Sequence, residues 1–213
     1  MSPAPAQRKE RFTWDDYQTW PDDERWEIIG GEAFAMSPAP ATRHQLLSAR
    51  LVSALDAFLR GRKCQVYAAP VDLKLSDEDI VQPDILVVCE PEKVKPTHIE
   101  GPPTLVIEIL SPSTELIDRG LKLDLYAASG VKEVWLVTPY PSLIEIFVLD
   151  NGAYRRARAL TREQEFRCPS FPDLGLDLNG LFDLPTTPEE RIKVVRERRP
   201  PYPGLPYGNT ERE

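Results

Sequence analysis

The stretch Thr104-Leu105-Val106-Ile107-Glu108-Ile109-Leu110 is apolar at both alternating positions except for one carboxylate. A strand that is apolar on both faces belongs in the middle of a sheet covered on both sides. Glu108 is anomalous there, because an unpaired buried carboxylate is strongly destabilising; it must be protonated, paired with a cation or bound to a metal. Upstream, Pro83-Asp84-Ile85-Leu86-Val87-Val88 predicts a second strand. Pro83 cannot donate to a sheet ladder and biases Gln82 towards an extended conformation, which sets Asp84 at the strand entrance, where its side chain can face a cleft. Asp84 and Glu108 are 24 residues apart, enough for two strands and a loop over Pro91 to Pro103. Adjacent strands lie about 4.8 Å apart, so two carboxylates at matched levels can share one divalent ion. With the Ile109 carbonyl and waters they make an oxygen site suited to Mg²⁺ or Mn²⁺.

Downstream, Ser111-Pro112-Ser113-Thr114 is a helix-start cluster, able to cap the helix or to hold a phosphate at its N-terminus. A helix is predicted from about Glu115 to Ala128, closed by Gly130. Asp118, Lys122 and Tyr126 recur every four residues and share one face. Ile117, Leu121 and Leu125 form the neighbouring apolar stripe, expected to pack on the sheet. Lys122 should therefore emerge at the edge of the buried face, with a stem long enough to carry its ammonium to Glu108. The alternative is a solvated Asp118–Lys122 ion pair.

Elsewhere, Thr13-Trp14-Asp15-Asp16 opens a short helix reaching about Trp20, and Arg25 to Met36 forms a β-hairpin turning at Gly30-Gly31. Leu47, Leu51, Leu55 and Phe58 recur at helical spacing over Thr42 to Arg60, with Gly61 ending that helix. Val71, Leu73 and Leu75 alternate with polar residues as in a half-buried strand. Glu133 to Thr138 and Leu143 to Leu149 are further strands, and Asp150-Asn151-Gly152 turns the latter into another after Ala153. The expected fold is α+β (α/β/α-like): one mixed sheet flanked by helices, with an N-terminal helix and hairpin. A single domain over 11–184 is followed by a Pro-rich charged tail, 185–213, with one helical possibility at Pro188 to Arg199 and too few apolar residues to build a core.

The 213 residues suffice for one well-buried core, and 34 acidic against 26 basic residues leave a net charge of -8. That balance argues against a protein that coats nucleic acid non-specifically, although a local basic groove remains compatible with it. Arg43, Arg50, Arg60, Arg62 and Lys63 offer one such cluster, and Arg155, Arg156, Arg158 and Arg162 another. No apolar run approaches the roughly 20 residues of a membrane helix, and Met1 to Phe12 has no apolar signal-peptide core, so a cytoplasmic protein is expected. Cys64, Cys89 and Cys168 are odd in number and form no CxxC pair, which argues against a disulfide framework or a structural zinc site and predicts free thiols.

The order PD, embedded E, then K resembles the PD-(D/E)XK nuclease superfamily. The blocks RWEIIGGEAFAMSPAPATRH, QPDILVV, GPPTLVIEILSPST and K-x-x-x-Y-x-x-x-GVKEVWLV are more specific, and together resemble the Uma-two restriction-endonuclease family over Phe12 to Tyr154. The resemblance implies a restriction-endonuclease-like fold with a four- or five-stranded mixed core sheet, divalent-metal-dependent phosphodiester hydrolysis, and a homodimer, since two cuts need two sites. It assigns Asp84 and Glu108 as acidic metal ligands. The superfamily lysine would stand two residues after the second acid, where this chain has Leu110; in the resembling family it moves to the following helix, and Lys122 fills that place. Glu27 matches the acid of the Arg-aromatic-Glu block and His44 a family histidine. Both, with Tyr126, are additional site candidates.

Three functions follow as expectations. The first is a Mg²⁺- or Mn²⁺-dependent DNA endonuclease using Asp84, Glu108 and Lys122. The second is a catalytically inactive module on the same fold that binds DNA or a protein partner, favoured by the acidic charge and by Leu110. The third is a glycoside hydrolase with Asp84 and Glu108 as acid and base. It is the weakest, because the aromatic residues Trp14, Trp20 and Trp26 cluster near the N-terminus, where packing accounts for them.

Overall fold

The computed structural model describes residues 11–21, 23–36, 41–112 and 114–185. The chain divides into two compact units, Met1–Asp183 and Leu184–Glu213. The second lies almost wholly outside the described residues, as does the helix expected at Pro188 to Arg199. Helix α1 (Trp14–Tyr17) is shorter than expected; Asp16 accepts hydrogen bonds from the Thr13 amide and hydroxyl at its start. The hairpin follows as β1 (Trp26–Ile29) and β2 (Glu32–Ala35), with Gly30 and Gly31 at φ of 57° and 78°, a region open to glycine without steric cost. Then come α2 (Thr42–Leu59), β3 (Gln65–Ala68), β4 (Asp72–Ser76), β5 (Asp79–Val81) and β6 (Ile85–Val88). After a 3₁₀ turn at Pro91–Lys93 the chain forms β7 (His98–Glu100) and β8 (Leu105–Ile109).

The next helix is not continuous. It runs as α3 (Glu115–Ile117), a π-helical turn (Asp118–Lys122) and α4 (Leu123–Ser129), with Gly130 capping it at φ 85°. Strands β9 (Glu133–Thr138), β10 (Leu143–Asp150) and β11 (Ala153–Thr161) and the short α5 (Leu178–Leu181) complete the fold.

The strands form two mixed sheets rather than the single sheet expected. The larger has the order β11-β10-β9-β8-β6-β3, and β8 lies at its middle with all five residues buried. The β8–β9 pair is parallel and the others antiparallel. The smaller, β2-β1-β5-β4-β7, gathers the hairpin and three short strands. Strands of three to five residues carry little alternation, so their pairing is not visible in the sequence. Leu73, Val81 and Ile99 of this sheet join Leu86, Val88, Val106, Leu110, Val134, Leu136 and Tyr126 in one buried cluster. That face of the large sheet is thus shared between the small sheet and the helix α3–α4. By the pleat, Ile85, Val87 and Ile107 point to the other face, where α2 contacts β3 and β8 through its buried Leu47, Leu51, Leu55 and Leu59.

Two further expectations are corrected. Cys64 and Cys89 form a disulfide, leaving only Cys168 free among the described cysteines. The reason is register: Gln65 pairs with Val88 across antiparallel β3 and β6, so the next residues outward, Cys64 and Cys89, stand opposite one another. Leu121 was expected to pack on the sheet and is instead 48% exposed. The helix is turned so that the Asp118/Lys122/Tyr126 face meets the sheet. No helix among the described residues is long and apolar enough to cross a membrane.

Candidate active site

The register of the large sheet brings the two sequence-distant acids together. Ile85 pairs with Ile107, so Asp84, one residue before β6, lies beside Glu108 on the central strand. The Asp84 amide points at Glu108 Oε2 at 3.4 Å, and the Ile109 amide donates to Asp84 Oδ2 at 2.7 Å. Across the cluster, Lys122 Nζ lies 2.8 Å from Glu108 Oε1, 2.9 Å from Glu27 Oε1 and 3.6 Å from Asp118 Oδ1. Tyr126 donates its hydroxyl to Glu108 Oε1 at 2.6 Å, and His44 Nε2 is 3.2 Å from Asp84 Oδ2. All six candidates named from the sequence, Asp84, Glu108, Lys122, Glu27, His44 and Tyr126, therefore meet in one place, and Asp118 joins them.

Lys122 is 4% exposed and lies inside the buried face rather than at its edge, and Asp118 is equally buried. A solvated Asp118–Lys122 pair is thereby excluded. Leu110 packs into the cluster containing Tyr126, and the Lys122 ammonium reaches Glu108 from the helix.

The electrostatics follow from burial. Glu108 is 3% exposed, and desolvation pushes its carboxyl up to about 8 against the opposing pull of Lys122. Desolvation also raises Asp118, again opposed by Lys122. Burial alone would lower Lys122, but Glu108, Glu27 and Asp118 hold it firmly protonated, well above its ordinary value. His44 shows the same contest: burial would lower it, and the Asp84 carboxylate and the Ile109 carbonyl raise it. Tyr126 is driven up by burial and then by Glu108.

A hard divalent cation fits this donor set. The short contacts fall on Asp84 Oδ2, from Ile109 and His44, and on Glu108 Oε1, from Lys122 and Tyr126. Glu108 Oε2 takes the long 3.4 Å contact from the Asp84 amide, Asp84 Oδ1 accepts no hydrogen bond among the described residues, and His44 Nδ1 is buried without a hydrogen-bond partner there. No group of three His, Cys, Asp or Glu side chains is arranged as a metal cage among the described residues. Two carboxylates completed by a carbonyl and waters is, however, the arrangement Mg²⁺ prefers.

Two surrounding features were not anticipated. Gln82 links the site to the N-terminal aromatic residues: its amide donates to Glu27 Oε1 at 2.9 Å, and its side chain bonds Arg25, Tyr17 and Asp72. Glu145 on β10 is another buried strand glutamate, paired with Arg119 and Arg156. Its setting Leu143-Ile144-Glu145-Ile146-Phe147 repeats the pattern around Glu108 and carried the same signal. Among the arginines expected to hold DNA, Arg50 is occupied within the fold, whereas Arg60 stays exposed in a surface pair. Arg50 donates to the carbonyls of Gly180, Leu181 and Asp183, and Arg60 pairs with Asp56.

Comparison with known proteins bears on the fold and the family. An uncharacterized protein of Synechocystis, slr1290, is 30% identical over 132 residues, covering 61% of this chain and 69% of that protein. A crystal structure from Anabaena variabilis, described as a "putative nuclease belonging to DUF820", superposes with a TM-score of 0.67 over 80% of this chain and 97% of that one. Its sequence identity is 19%, so it speaks to the fold. The model of the Uma2 family, described as "Putative restriction endonuclease", matches residues 14–179, and the chain belongs to that family.

Proposed function

We propose that this protein is a Mg²⁺- or Mn²⁺-dependent nuclease that hydrolyses phosphodiester bonds of DNA. The observation that carries this reading is the buried Lys122 ammonium, 2.8 Å from Glu108, beside a second strand carboxylate that retains an uncommitted oxygen. Asp84 and Glu108 would hold the ion with the Ile109 carbonyl. When bound, the ion supplies Lewis-acid polarisation of the phosphate and acidification of an attacking water. Lys122 stabilises the negative charge that develops on the phosphate or orients the water. Glu27 keeps Lys122 protonated and in place, Tyr126 fixes the rotamer of Glu108, and His44 with the Ile109 amide orients Asp84. The acidic overall charge places the burden of substrate binding on local basic residues and the ion. The active form is a homodimer, and the protein works in the cytoplasm.

The test is cleavage of single- and double-stranded DNA with Mg²⁺ or Mn²⁺. Asp84→Asn and Glu108→Gln should abolish activity, and Lys122→Met should lower kcat by roughly 10²- to 10³-fold, as for loss of one charge-stabilising donor. Undiminished cleavage by Asp84→Asn would overturn the assignment. Sedimentation of the wild type checks the dimer.

A further inference from the structure

In the segment Glu115–Lys122 no apolar side chain is fully buried: Ile117 is half-buried, Leu116 is 90% exposed and Leu121 is 48% exposed, whereas Asp118 and Lys122 are buried. It also contains Gly120, a weak helix former. Hydrophobic packing of the turn that delivers Lys122 is thus limited to Ile117, and polar contacts carry most of its hold. Inside the site these are the contacts of Lys122 itself. Outside it, among the described residues, the tie to the sheet is Arg119: its Nη1 lies 2.6 Å from Glu145 Oε2, while its Nε donates to Glu115 at 2.9 Å.

The registers show where this tie lands. Glu108 pairs with Leu136, and Leu136 pairs with Glu145, so both buried glutamates lie at one level and on one face, two strand spacings or about 10 Å apart. The π turn lies across that row and sets one cation on each acid, Lys122 on Glu108 and Arg119 on Glu145. Glu145 is 4% exposed, and its other oxygen takes Arg156 of β11 at 2.9 Å.

We propose that Arg119 and Glu145 are positioning residues, which lock the rotation and height of the π turn on the sheet and so align Lys122 with Glu108. The proposal deepens the nuclease reading and rests on it for its catalytic meaning, but the alignment itself is testable without metal or nucleic acid. The measurement is the ¹H–¹⁵N signal of the Lys122 ammonium, with amide hydrogen exchange over 118–126, in Arg119→Ala, Glu145→Gln, Arg119→Lys and Arg156→Ala. Arg119→Ala and Glu145→Gln should shift or broaden the Lys122 signal and lower protection in the turn about tenfold, a local opening rather than global unfolding. Arg119→Lys should restore the signal in part. Arg156→Ala, which removes the cation that does not belong to the turn, should leave the Lys122 signal in place. An unchanged Lys122 signal in folded Arg119→Ala overturns the proposal, as does an equal response in Arg156→Ala. If Arg119→Ala does not fold, the near-isosteric Glu145→Gln decides in the same way. Loss of alignment in a protein that cleaves nothing would uphold the positioning and remove the nuclease reading; intact alignment in an active nuclease would do the reverse.

Discussion

Replacing Lys122 with methionine keeps most of the stem and deletes the ammonium that Glu27, Glu108 and Asp118 share at 2.9, 2.8 and 3.6 Å. Three buried carboxylates then face one another without the cation that contacts them all. Breaking a buried ion pair by removing one partner costs about 3–5 kcal/mol. For a domain of this size each kcal/mol is worth roughly 2–4 °C, which places the melting temperature roughly 6–20 °C lower. The pH dependence has a definite sign. Lys122 lowers both Glu108 and Asp118, so its removal raises their folded-state values further above those of the unfolded chain. A carboxyl raised on folding favours the fold in acid, and that contribution is lost as pH rises through the folded value. The deficit of Lys122→Met should thus be smallest near pH 5 and grow towards pH 8. Thermal and urea unfolding across that range measure it. A loss below about 1 kcal/mol, as for a surface pair, with no pH trend would refute the picture of a buried cation shared by three acids.

Three other outcomes follow. Tyr126→Phe removes the 2.6 Å hydrogen bond to Glu108 and should cost about 1.5–3 kcal/mol in urea unfolding; equal stability would show that the bond adds nothing. Glu133 is buried away from the site and accepts from Trp135 Nε1 at 2.6 Å, Cys168 Sγ at 3.0 Å and the Ser170 amide at 2.7 Å. Glu133→Ala leaves these donors unpaired and should destabilise by about 2–5 kcal/mol without changing Mn²⁺ affinity, and a changed affinity would link the two regions. Because Glu108 must lose its proton to bind a cation and is raised to about 8, Mn²⁺ affinity should climb about tenfold per pH unit between pH 6 and 8 and then level off; a flat profile would remove Glu108 from the ligand set.

The central strand and its acid were legible because a carboxylate inside Val106-Ile107-Glu108-Ile109-Leu110 conflicts with burial, and Pro83 marked where Asp84 enters the sheet. The helix after β8 was legible in extent but not in rotation. Its two stripes, Ile117/Leu121/Leu125 and Asp118/Lys122/Tyr126, have the same spacing, and hydropathy favours burying the first. The second is buried because Lys122 contacts Asp118, Glu108 and Glu27, the last a pairing across 95 residues that periodicity does not encode. The side chains that the π turn buries, Asp118 and Lys122, are both polar. Cys64–Cys89 was hidden by the odd cysteine count and by a strand register that becomes visible only once β3 lies against β6. Glu145 was overlooked although its surroundings match those of Glu108, because no proline, second acid or helix cation pointed to it in the sequence.

The most direct measurement is calorimetric titration of Mn²⁺ into the wild-type protein, Asp84→Asn and Glu108→Gln at pH 8, with folding checked by circular dichroism. Binding in the wild type that disappears in both variants is the predicted result, and places the cation between β6 and β8. Binding of the same strength in Asp84→Asn, or none in the wild type, would contradict a metal-dependent site at these carboxylates.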